Sequence, residues 1–175
     1  LITMEEPVTN FFLEAPGGLV KVKALCKNGK AERILVQNLP SFVYKLDTSL
    51  ELEGYGSTPV DTAFGGDSFV IVDAKKLGFS IDPSEAAELA RLGAKITDAA
   101  TEQIGFRHPT ITDWMHYSFC QFSRMEDQSN DCISFKSAVS VKPGKIDRSP
   151  TGTALSAKMA VLEARGEMKI GQKIK

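Results

Sequence analysis

The sequence predicts an α+β domain in which strands wrap around one buried helix. Two observations carry this reading: strand-like runs recur along most of the chain, and a helix near the C-terminus is apolar on nearly every side. No internal repeat, heptad pattern or low-complexity tract points to another architecture, and one domain over residues 1–175 is the economical organisation.

Val20, Val22 and Ala24 alternate with Lys21, Lys23 and Leu25, which places aliphatics on one face of a strand and ammonium groups mainly on the other. Asn28-Gly29 suits a tight turn requiring positive φ, and the run 33–37 follows, so residues 13–37 read as a hairpin with its lead-in. Further strands are predicted at 42–46, 60–64, 69–72, 115–122 and 133–141, separated by turns rich in Gly, Pro and Asp. Asp82-Pro83-Ser84-Glu85 supplies an N-cap carboxylate, a Pro at the first helical position and a glutamate at N3. A helix therefore starts at Pro83. Leu89, Leu92, Ile96 and Ala99 continue it as a single apolar stripe ending near Gly105. The second helix, residues 153–165, leaves only Ser156, Lys158 and Glu163 polar over most of its length and belongs inside the fold.

A chain of 175 residues is long enough to bury a core without staples. Its 21 Lys and Arg against 22 Asp and Glu give no electrostatic reason to expect a nucleic acid or an anionic membrane as partner. The three cysteines, an odd number without CxxC spacing, suit reduced thiols in the cytoplasm. No apolar run approaches the roughly 18 residues of a membrane span. Residues 1–7 lack an initiator Met and the pattern of a signal peptide, and read as the start of an excised piece. His108, His116 and Cys120 lack the spacing of a metal site, so no metal is expected, and no GxGxxG or Walker pattern supports a nucleotide. Gly65-Gly66-Asp67 reads as a turn into a buried strand, and Cys120 and Cys132 as inert thiols in strands.

The segment 144–153 runs directly into the second helix, whose first N–H groups face whatever lies before it. Gly152 permits close approach to that backbone, and Asp147 could bind a cation, a combination that suits the carboxylate and ammonium of an amino acid. On spacing alone the plainer reading is favoured, with Thr151 or Thr153 as an N-cap and Asp147 as a turn former.

The string Asp147-Arg148-Ser149-Pro150-Thr151-Gly152-Thr153, followed by 156–162 and Ala164-Arg165-Gly166, resembles the second catalytic motif of the proline racemase and hydroxyproline epimerase family. Asn38-Leu39-Pro40-Ser41-Phe42, the run 64–73, Arg107-His108-Pro109 and the run 114–121 occur in the family's order, so the resemblance covers nearly the whole chain. It implies one lobe, the second, of a two-lobed diaminopimelate epimerase-like fold, each lobe a mixed β-barrel-like sheet wrapped around a central buried helix, with substrate held between two helix N-termini. The family's first motif, Met-Cys-Gly-His, and the segment returning to the first lobe are absent from these residues, so the fragment alone is expected to be inactive.

By that resemblance Asp147 holds the ring nitrogen of proline or hydroxyproline, and the N–H groups of Gly152 and Thr153 bind its carboxylate. Thr151 takes the position of the second catalytic cysteine, and no cofactor is implied. His116 is a further candidate contact, with a hydrogen-bonded structural histidine as its plainer reading; a homodimer of the full-length protein is the candidate assembly. A thiol exchanges protons near neutrality and an aliphatic hydroxyl does not, so Thr151 favours dehydration of trans-3-hydroxy-L-proline over racemisation or epimerisation. Ala154 and Leu155 depart from the Gly and small or polar residue usual in the family, and either narrow the carboxylate pocket or mark a divergent branch. The alternative from another class is a binding or structural homologue that kept the fold without chemistry.

Overall fold

The computed structural model describes residues 2–128 and 132–175, which divide into two compact units, Leu1–Pro40 and Ser41–Lys175. In the first unit β1 (Val8–Ala15), β2 (Gly18–Lys27) and β3 (Lys30–Gln37) form a three-stranded antiparallel sheet. The hairpin expected at Asn28-Gly29 is present, with φ of 53° and 72° at the two residues. Alternation along β2 buries Val22, Ala24 and Cys26 and exposes Lys21 and Lys23. The first sheet extends beyond the predicted hairpin: β1 pairs along its whole length with β2, from Val8 opposite Leu25 to Ala15 opposite Gly18.

The second unit holds β4 (Phe42–Leu52), β5 (Gly56–Phe64), β6 (Ser68–Asp73), α1 (Ala86–Gln103), β7 (Phe119–Gln128), β8 (Cys132–Val141), β9 (Lys145–Ile146), α2 (Gly152–Ala164) and β10 (Lys173–Ile174). Its seven strands make one mixed sheet in the order β10-β8-β7-β6-β5-β4, with β9 on β8. The sheet is open, not a closed barrel. β6 and β7 run parallel, a pairing that requires a long crossover, and α1 lies within it.

The start of α1 follows the expected chemistry: a 3₁₀ turn at Pro83–Glu85 precedes it, and the Asp82 N–H donates to Glu85 Oε2 at 3.0 Å. Leu89, Leu92, Ile96 and Ala100 form the buried stripe, joined by Val70, Val72 and Phe122 from the sheet. β6 is buried on both sides. Val70 and Val72 face the α1 core, and Phe69 and Ile71 pack with Ala63, Val139, Ala154, Ala157 and Val161 in the α2 core.

The strand-dominated α+β architecture with a buried helix agrees with the expectation from sequence. α1 contacts β4 and β6 to β9 and exposes Glu88, Arg91, Lys95 and Asp98, whereas α2 packs on β4, β5 and β6 and exposes Gly152, Glu163 and Ala164. Arg165 anchors the end of α2, donating through Nη2 to Asp47 at 2.8 Å and Asp61 at 2.6 Å, and both carboxylates hold the guanidinium firmly charged. No helix among the described residues is long and apolar enough to cross a membrane.

Candidate active site

Thr151 is the N-cap of α2, with backbone at φ 49°, ψ 77° in the left-handed region. A β-branched residue resists that conformation, typically at a cost of about 1–3 kcal/mol. Its hydroxyl makes no capping bond. It donates instead to Asp147 Oδ2 at 2.5 Å. The first intrahelical bond runs from the Leu155 N–H to the Thr151 carbonyl at 3.0 Å, so Gly152, Thr153 and Ala154 carry N–H groups with no intrahelical partner. Of the two N-cap candidates read from spacing, Thr151 occupies the position without performing the usual bond, and Thr153 lies inside the first turn.

Asp147 is placed by β9 and by its own N–H, which donates to the Val139 carbonyl at 2.9 Å. Its carboxylate accepts the Ser149 N–H on Oδ1 at 2.9 Å, and the Ser149 hydroxyl on Oδ2 at 3.0 Å beside that of Thr151. The Thr151 hydroxyl and then the Ser149 N–H hold the Asp147 carboxyl below the ordinary carboxylate range. A carboxylate therefore stands beside a helix N-terminus whose first N–H groups have no intrahelical partner, an arrangement that offers one end to a cation and the other to an anion.

Gly65, read from sequence as part of a turn, seats this helix. A Cβ there would lie 2.1 Å from the Thr153 carbonyl oxygen and 2.4 Å from the Ala157 nitrogen, so only glycine lets α2 pass this close to the turn before β6. Ala154 is fully buried against that part of the sheet, so its methyl group points into the core and not into the space before the first turn. Leu155 is half-buried. A Cβ on Gly152 would meet no atom within 4 Å, leaving the backbone there approachable.

The strand expected over 115–122 begins only at Phe119, so His116 lies in the preceding loop. That loop is tied by other partners. Trp114 Nε1 donates to Ser68 Oγ at 2.9 Å, Ser68 Oγ donates to the His116 carbonyl at 2.8 Å, and the Tyr117 hydroxyl donates to the Gly105 carbonyl at 2.9 Å. The exposed His116 imidazole stacks on Trp114 with 6.2 Å between ring centroids. Burial pushes the nearby Asp67 carboxyl up, while Ser118, the Ser68 N–H and His116 pull it down. Asp147, Thr151, Gly152 and Thr153 thus form one cluster and His116 belongs to another. Cys120 is an inert buried thiol, its pKa raised by burial. Among the described residues no group of three or more His, Cys, Asp or Glu is arranged to hold a metal.

An open helix terminus beside a fixed carboxylate is the candidate site for a small molecule carrying both charges, on a domain of mixed sheet and helices. The family model for proline racemase matches residues 1–175, and the chain belongs to that family. It is similar to a probable proline racemase from Agrobacterium radiobacter K84, solved with bound carbonate: 30% identity, TM-score 0.86, over 98% of this chain and 49% of that one. It is also similar to a hydroxyproline epimerase from Agrobacterium vitis, solved with bound trans-4-hydroxy-L-proline, at 33% identity and TM-score 0.86, over 98% of this chain and 48% of that one. The chain spans about half the length of these relatives.

Proposed function

We propose that this chain is the second lobe of a cofactor-independent enzyme that binds a proline-type amino acid and removes its α-proton from one face, dehydrating trans-3-hydroxy-L-proline. The observation that carries the reading is Thr151, a hydroxyl at the helix N-cap whose proton is given to Asp147. Racemisation needs an acid on the face opposite the base; elimination needs only the base, supplied by the other half of the protein. Loss of the α-proton and the 3-hydroxyl forms a C2=C3 double bond and releases water.

In this reading Asp147 receives the ring ammonium, and the N–H groups of Gly152 and Thr153 receive the carboxylate. Those donors stabilise the negative charge that grows on the carboxylate as the proton leaves; a preorganised donor of this kind typically contributes about 10²–10³ in rate. The trans-4-hydroxy-L-proline in the Agrobacterium vitis relative supports the substrate class. An odd number of cysteines without CxxC spacing suits the cytoplasm. Incubation of the intact protein with trans-3-hydroxy-L-proline tests the reaction: release of the unsaturated ring supports it, and epimerisation without water loss assigns the protein to the hydroxyproline epimerases.

A further inference from the structure

Three donors converge on Asp147 from two residues: the Ser149 N–H, the Ser149 hydroxyl and the Thr151 hydroxyl. Ser149 Oγ, while donating to the carboxylate, also accepts the Thr151 N–H at 3.1 Å. One exposed serine thus links the carboxylate to the backbone of the helix N-cap. A carboxylate offers about four lone-pair directions, so three bonds leave it one for an outside donor. Loss of the Ser149 hydroxyl removes one of these bonds and releases the Thr151 N–H, freeing the carboxylate to rotate and the left-handed Thr151 backbone to relax.

We propose that Ser149 is a positioning residue for Asp147, holding its carboxylate in register with the first turn of α2 so that an ammonium and a carboxylate are met together. The assignment rests on the reading of Asp147 as the ammonium-binding group. Ser149 itself touches no substrate. It acts through Asp147 and Thr151, and the low-lying Asp147 carboxyl is what such a cradle produces.

The test compares Ser149→Ala with Ser149→Thr in the intact protein, by two measurements. The first is the titration of the Asp147 carboxyl by carbon NMR without ligand, assigned by difference against Asp147→Asn. Its midpoint should rise in Ser149→Ala and stay at the wild-type position in Ser149→Thr, which retains the hydroxyl. The second is the pH profile of kcat and KM for trans-3-hydroxy-L-proline. Ser149→Ala should raise KM roughly tenfold, the loss expected for a hydrogen bond to a charged group, with a smaller change in kcat and an acid limb moved to higher pH. Ser149→Thr should restore both. An unmoved carboxyl midpoint in Ser149→Ala overturns the assignment, as does a moved midpoint with unchanged KM. A variant that fails to fold would make Ser149 a purely structural residue and overturn it too. Should the wild type accept no proline derivative, the proposed function falls, while the ligand-free titration still decides whether Ser149 holds Asp147.

Discussion

The Thr151 hydroxyl donates to Asp147 across 2.5 Å, and this bond draws the N-cap side chain away from the first turn of α2. A threonine in the usual cap geometry would occupy one of the N–H groups that the proposed site needs. The same bond fixes the carboxylate. Asp147→Asn keeps the shape and an acceptor oxygen but loses the charge, and should weaken binding of a proline-type substrate by about 1.5–3 kcal/mol, roughly ten- to a hundredfold. Calorimetric or KM comparison of the two intact proteins checks this; unchanged affinity would leave Asp147 as a turn former.

His108 should make the loop before β7 sensitive to acid. Its Nδ1 accepts the N–H groups of Thr110 at 3.2 Å and Ile111 at 3.0 Å, bonds that require an unprotonated nitrogen, and burial lowers its pKa. For a group depressed on folding, the stabilisation is fully present above the unfolded value of about 6.5 and is lost as pH falls through the lower folded value. The protection of the Thr110 and Ile111 amides, their exchange measured against the intrinsic rate at each pH, should therefore fall as pH is lowered from about 7 to 5. Protection that holds constant would show that the ring does not cap this loop.

Gly65→Ala should displace the start of α2. A Cβ 2.1 Å from the Thr153 carbonyl has only backbone to push against, so the helix must retreat by about 1 Å or more. Overpacking of this kind costs typically about 1–3 kcal/mol, seen as a lower Tm, and the amide resonances of Gly152 and Thr153 should shift with it. A variant with wild-type Tm and unshifted amides would show that Gly65 does not seat the helix.

Much of this was legible in the sequence because the signals are local. Asn28-Gly29, the Asp82 to Glu85 start and the helix after Gly152 all report backbone chemistry within a few residues. What escaped depends on partners distant in the chain. The loop carrying His116 has the composition of a strand, but its bonds go to Ser68 and Gly105 and strand pairing begins only at Phe119. Gly65 reads as a turn residue until α2 is set against it. Within the candidate site, Asp147, Thr151, Gly152 and Thr153 were recognisable from the motif, whereas the two hydrogen bonds that Ser149 donates to Asp147 needed coordinates, although a serine two residues after an aspartate is itself a signal for such a turn.

The central claim, that chemistry proceeds from one face because Thr151 supplies no acid, is tested most directly by proton NMR of the intact protein in deuterated buffer with trans-3-hydroxy-L-proline and with each enantiomer of proline. Loss of water from the hydroxyproline and retention of configuration in both prolines are expected, and Thr151→Cys should add inversion by placing a thiol at the helix terminus, where its pKa is lowered. Rapid deuteration of proline with inversion by the wild type would contradict the account, since Thr151 would then not prevent proton transfer at the second face.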